Sequence, residues 1–317
     1  MTIDRVATNT QMQYMLQQIN QANLNLNQSQ QQVASGKVAS DYGGLGDKVA
    51  VLQAAQSASA RADAYQTATQ LALTQTDLQN TQLTTLGDLA GQLRQAVTTA
   101  LANNDASTLM TQAQNIYDQA VQILNSQDAN GNYIYGGDKD DTPPVTATNL
   151  SDLSALPSVS DAFANGTLTR SVDVGDGENV QIGLLASDVG TSLLQSLKDI
   201  ADFNAGPNGT FGQDLTSAQN DFLSSAIPQI TSVDQDLNNT AAANGYTYNR
   251  LQDAIGRQQS LSTLYKGFAS DLSDVDMATA VSNLNQNQVA LQAALQVTSQ
   301  LNQVSLLNYL PVATTTG

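Results

Sequence analysis

Met12-Gln-Tyr-Met-Leu-Gln-Gln-Ile-Asn-Gln-Ala-Asn-Leu-Asn-Leu-Asn-Gln-Ser-Gln-Gln-Gln-Val33 decides how this chain is read. Met12, Met15, Ile19, Ala22, Leu26 and Val33 recur in alternating steps of three and four, with one gap at Ser29, which is the spacing of a coiled-coil seam. From Val6 to Gly36 there is no Asp, Glu, Lys or Arg, so the wet face is built from amides and hydroxyls. A helix exposed on its own usually carries Glu and Lys there, each i,i+4 pair adding ~0.2–0.5 kcal/mol. An uncharged helix with a seam is expected to be completed by neighbours, because charge is costly to bury between packed copies.

The other end has the same character. Met277 to Gly317 is also free of charged residues. Val281, Leu284, Leu291 and Leu295 form one seam, and Ala294, Val297, Leu301 and Val304 an adjacent one, as if the stripe shifts part-way along. The two ends are predicted to pair, remaining disordered until assembly. The candidate assembly interface is Met12, Met15, Ile19, Leu26 and Val33 with Val281, Leu284, Leu291, Leu295, Leu301 and Val304. The competing reading is a disordered amide-rich tail; a random polar tract, however, would not keep a seam.

Inboard, the pattern is that of a soluble helical bundle. Residues 1–142 and 229–310 contain no proline, whereas 143–212 hold four of the six. Leu83, Leu86, Ala90, Leu93, Val97 and Ala100 predict a helix beginning near Lys48. Leu109, Ala113, Ile116, Ala120 and Leu124 predict a second, capped by Ser107 after the break at Asn103-Asn-Asp-Ala-Ser107. Asn130-Gly131 predicts a turn into a strand. Thr167–Val174 and Asn179–Leu184 predict a hairpin, and residues 187–203 a helix with Leu193, Leu194, Leu197 and Ile200 on one face. The fold expected is mainly α: a long antiparallel bundle and coiled coil built from both ends, with a small α+β insert. Residues 1–40 and 271–317 would form the terminal helices, 41–142 and 213–270 the bundle, and 143–212 an insert domain hung on it.

Composition excludes most chemistry. Among 317 residues there is no Cys, His or Trp and one Glu, Glu178. Zinc sites of the usual type, Cys nucleophiles, Ser-His-Asp triads and disulfides are thereby ruled out. A net charge of −17 with 11 scattered basic residues opposes nucleic acid as a partner. No apolar run reaches the ~18 residues needed to span a bilayer, and no cleavable signal is apparent at the start. Asp128-Ala-Asn-Gly-Asn132 has the opening of a calcium loop, but Tyr133 replaces the sixth-position Gly and Lys139 the twelfth-position carboxylate. It reads as a turn. Asp138–Asp141 and Asp173–Glu178 read as solvated loop acids in preference to a cation site or hydrolytic pair. Gly43, Gly44 and Gly46 fit neither a dinucleotide nor a P-loop fingerprint and suit a hinge. Tyr133 and Tyr135 suit packing better than sugar stacking. No catalytic, cofactor or metal residue is expected.

Local motifs complete the reading. Val33-Ala-Ser-Gly-Lys37, Asn130-Gly-Asn-Tyr-Ile-Tyr-Gly-Gly137, Gly245-Tyr-Thr-Tyr-Asn-Arg-Leu251, Asp271-Leu-Ser-Asp-Val-Asp-Met-Ala278 and Ser305-Leu-Leu-Asn-Tyr-Leu310 occur in this order. In order and spacing they resemble the flagellin-like axial proteins of bacterial flagella, and within them the hook-associated protein 3 family. Two departures stand out: Asp41-Tyr-Gly-Gly-Leu-Gly46 where the family usually has an Asp-Asp-Pro-like segment, and the extra Pro311–Gly317. The resemblance implies a structural adaptor at the hook-filament junction, joining hook-associated protein 1 to flagellin in a ring of about eleven copies. It also implies a cytoplasmic export chaperone and passage through the flagellar type III apparatus to the cell exterior. The terminal helices would lie in an inner tube, with the insert facing outward. A filament-forming flagellin is the alternative, and a surface glycan-binding module the remoter one.

Overall fold

The computed structural model describes the backbone of residues 2–307 and the side chains of residues 10–300. Seven α-helices and one two-stranded sheet follow in the order α1 (Thr2–Ser35), α2 (Lys48–Asn103), α3 (Leu109–Leu124), α4 (Leu150–Ala155), β1 (Ser171–Gly175), β2 (Glu178–Gln181), α5 (Ala186–Ala205), α6 (Ser217–Ser273) and α7 (Met277–Leu307). Short 3-10 turns at Gly43–Leu45 and Val159–Ala162 complete the described elements. No described helix is long and apolar enough to cross a membrane. The fold is mainly helical, as expected. Two compact units divide between residues 60 and 61 and between 261 and 262.

In the middle unit the expected heptad leucines are the core. Leu83, Leu86, Ala90, Leu93, Val97 and Ala100 of α2 are buried with Leu109, Ala113, Ile116, Ala120 and Leu124 of α3. The loop between these helices is closed by Asp105, whose carboxylate accepts from Ser107 N at 2.8 Å; Ser107 is not the cap, and α3 begins after Thr108. On α6, Leu223, Ala226, Ile230, Val233 and Leu237 complete one wall, and the helix runs straight through Pro228. An internal proline costs roughly 3 kcal/mol; burial of Ala226 and Ile230 on either side keeps this one helical.

The segment expected to stand apart does not. Leu150 and Leu153 of α4 and Leu193, Leu194, Leu197 and Ile200 of α5 lie in the same apolar core as α2, α3 and α6. The boundaries expected at 142/143 and 212/213 therefore mark no separate core. The physical reason is the width of the apolar face on α5: four large aliphatic side chains in two turns need another layer, and the bundle supplies it.

The hairpin forms, with Val172 opposite Val180 and a bulge between Asp173 and Gly175, but over fewer residues than expected. It joins a second, smaller core: Val174, Val180 and Ile182 pack with Ala72 of α2 and with Leu251 and Ala254 of α6. Polar contacts tie it there. Tyr65 Oη donates to Asp176 at 3.0 Å, which raises the phenol's pKa, Arg257 meets Glu178 at 2.7 Å, and Gln258 Nε2 donates to Val174 O at 2.8 Å. Asp176 and Glu178 are thus solvated loop acids, as expected, that also anchor the hairpin. Asp138 likewise accepts from the backbone N–H of Thr167 and Leu168, and Asp140 pairs with Arg170.

No strand follows Asn130-Gly131. Asp128 organises the turn, accepting from Asn130 N and Asn132 N at 2.9 Å each, with Arg170 on its other oxygen at 3.8 Å. The next residues find separate backbone partners: Tyr133 N donates to Asp140 O, Ile134 N to Ser126 O, and Tyr135 O accepts from Ala186 N. A Cβ on Gly137 would come within 2.6 Å of Leu185 and 2.7 Å of Leu168 O, so the Gly-Gly pair lets this loop thread between its neighbours. Tyr135 is fully buried and donates to Gln82 Oε1 at 2.8 Å, and burial pushes its phenol well above the ordinary range. The packing role expected for Tyr135 is the one observed.

Candidate assembly surface

In the other unit α1 and α7 lie side by side. Both are helical in the single chain. On α1 the sheltered positions are Met15, Ile19, Ala22, Leu26, Ser29 and Val33, the expected seam with its gap filled. On α7 they are Ala280, Leu284, Asn287, Leu291, Ala294 and Thr298, in unbroken steps of four and three.

Three expected interface residues lie outside the stripe that α1 and α7 share and are exposed in the single chain. Met12 is 46% exposed, Val281 42% and Leu295 50%. Val297, assigned to a shifted stripe, is exposed as well, while Ala294 sits on the main one. There is no shift through residue 300. Leu284, Leu291 and Ala294 lie on the stripe shared with α1 together with Ala280, and Val281 and Leu295 lie beside it on an exposed flank. Leu301 and Val304 lie beyond the residues whose side chains are described.

The sequence reading missed Ser29 and Asn287. Ser29 is 4% exposed, and its hydroxyl donates to Asn25 O at 3.0 Å and accepts from Asn287 Nδ2 at 2.7 Å. Its signal was the gap in the heptad, which on α7 is matched by an Asn at a seam position.

A clasp closes the base of this helix pair. Gly36 ends α1 in the left-handed region, φ +70°, where a side chain would be strained. Its carbonyl then accepts from Val275 N at 2.9 Å, and Val38 N donates to Ser273 O at 2.8 Å, a short antiparallel bridge of Lys37 with Asp274. The Lys37 ammonium pairs with the Asp274 carboxylate, which also accepts from Ser270 and from Ser273. Foremost the Lys37 hydrogen bond, then those two hydroxyls, hold the Asp274 carboxyl down at about 2. Asp276 caps α7 through Ala278 N at 3.0 Å and Thr279 Oγ1 at 2.8 Å, and its carboxyl is lowered as well. The Ser-Gly-Lys segment and the acidic break, separate motifs in the sequence, are two halves of one contact.

The surface so built consists of uncharged, partly apolar helix faces joined at one end. The comparisons agree in kind. Residues 227–310 match the bacterial flagellin C-terminal helical region. More narrowly, the chain is 24% identical over 224 residues to flagellar hook-associated protein 3 of Escherichia coli (strain K12), covering 65% of this chain and 67% of that protein. In fold it is similar to a Vibrio parahaemolyticus protein assigned to the flagellar hook-associated group, with a TM-score of 0.56 at 16% identity over 70% of this chain and 96% of that one. The Bacillus cereus FlgL structure is similar with a TM-score of 0.52 at 15% identity over 69% and 98%. The resemblance drawn from the motifs, to hook-associated protein 3, is met by these likenesses.

Proposed function

We propose that this protein is a structural component of the bacterial flagellum, an adaptor at the hook-filament junction that links hook-associated protein 1 to flagellin. The observation that carries this reading is the outer row of α1 and α7. Met12, Leu16, Val281 and Leu295 stay exposed on helices that carry no charge over 6–36 and 277–317. Such faces suit burial against further copies. In this reading the sheltered stripe is satisfied within the chain and the outer row between chains, in a ring of about eleven copies. A cytoplasmic chaperone keeps the ends from premature association before type III export, and the protein works outside the cell. No residue is catalytic and no cofactor is required.

The match of residues 227–310 to a flagellin region favours one further reading, a filament-forming flagellin. Imaging cells that lack the protein separates the two. The junction reading expects completed hooks without filaments and flagellin shed into the medium. Loss of the filament subunit itself, with the purified protein polymerising into long filaments, would favour flagellin.

A further inference from the structure

The uncharged ends pose a problem of register. An antiparallel helix pair whose stripes repeat in steps of three and four can slide by one heptad and still lay stripe on stripe. Coiled coils ordinarily prevent this with charges beside the seam. Residues 6–36 and 277–317 have none. Apolar shape discriminates little either, since Ala22, Ala280 and Ala294 occupy three of the stripe positions.

We propose that Ser29 and Asn287 set the register of α1 against α7. Ser29 is the one buried residue among the described side chains of α1. Because its own proton is committed to Asn25 O, its hydroxyl presents an acceptor to the opposite helix. Asn287 Nδ2 donates to that acceptor at 2.7 Å and lies 3.3 Å from Asn25 O. In a slipped register the hydroxyl and the amide would each face an apolar or unmatched neighbour, and buried polar groups without partners are strongly disfavoured. The pair therefore acts less as glue than as a pin, the role a single buried Asn plays in a coiled coil, where it selects an alignment at some cost in stability. The clasp also constrains the register, at the base alone: its ion pair is about half-exposed and screened by water and salt, but its two backbone hydrogen bonds, Val275 N to Gly36 O and Val38 N to Ser273 O, must break before the helices can slide. This inference concerns the single chain and does not depend on the junction reading.

The absence of Cys makes the test direct. Cysteines introduced at Leu16 and Val281, both exposed and well separated along the pair axis, carry spin labels in the full-length chain. With the pin intact, a single narrow distance is expected. In a chain loosened at the base by Val38→Pro and Asp274→Asn, the intact pin should keep that one distance, and adding Ser29→Ala with Asn287→Leu should add a second population displaced by about 10 Å, one heptad of helix rise. Helix content by circular dichroism should be unchanged. One unchanged distance with both pin residues replaced overturns the proposal, as does the lack of a defined distance with the pin intact. Loss of helix content together with the distance also overturns it, since the two residues would then hold the pair together rather than choose its alignment.

Discussion

Leu93 and Leu291 are the same side chain on two uncompromised helices, yet they occupy different kinds of environment. Leu93 has no exposed surface and sits in a core fed by five helices. Leu291 is half-buried on a two-helix stripe, with polar Asn287 and Thr298 among the sheltered neighbours. The middle unit closes its apolar surface on itself, whereas the unit built from the two ends leaves an outer row uncovered. Burial rather than helix propensity distinguishes the two parts of this chain.

The sharpest way to break that contrast is truncation in the closed core. Leu93→Ala should cost roughly 2–5 kcal/mol and lower the thermal midpoint of the monomer. Leu197→Ala, within the segment first expected to be an insert, should do the same in the same transition. A separate, lower melting step for Leu197→Ala would restore an independent insert. Tyr135→Phe should cost about 1 kcal/mol, because it removes the donor to the part-buried Gln82 Oε1; equal melting of the two proteins would show that Gln82 finds another partner.

Leu291→Ala sharpens the contrast from the other side. The monomer's main transition should stay in place, since the residue lies outside the closed core, while filament retention on cells falls. An equal drop in midpoint for Leu93→Ala and Leu291→Ala would erase the distinction between the units. The smallest effect belongs to the clasp. With its folded-state pKa depressed from 3.8 to about 2, Asp274 contributes stability that is present above about pH 4 and is lost as pH falls toward 2. Amide exchange at Val38 and Val275, corrected for the intrinsic rate, should rise over that interval, and Asp274→Asn should remove the pH dependence. No change from pH 4 to 2 would mean that the backbone bridge holds without the ion pair.

Much of this was legible in the sequence where a repeat was long. The leucines of α2 and α3 recur over several turns, and every one of those expected in the core is there. The placement of α4 and α5 was not legible, because an amphipathic face shows that a helix must be covered and not by what. Prolines at 143, 144, 157 and 207 marked a change of local structure that was mistaken for a change of core. In the terminal helices the period was legible on both α1 and α7, but which residues face the other helix of the same chain was not: Met12, Val281 and Leu295 are exposed, while Ala280 and Ala294 are sheltered. Size is a poor guide to the buried side of a thin stripe, since small residues are what allow two helices to approach. Ser29 and Asn287 were passed over for the same reason: a polar residue on a seam looks like an interruption until its partner is known.

Hydrogen exchange on the purified monomer tests the central claim most directly. Amides of residues 83–100, 109–124 and 193–201 should exchange only through global unfolding, and those of residues 12–33 and 280–298 orders of magnitude faster through local opening of a pair that is formed but thinly buried. Equal protection of both sets in a verified monomer would contradict the account, because the ends would then be as complete alone as the middle.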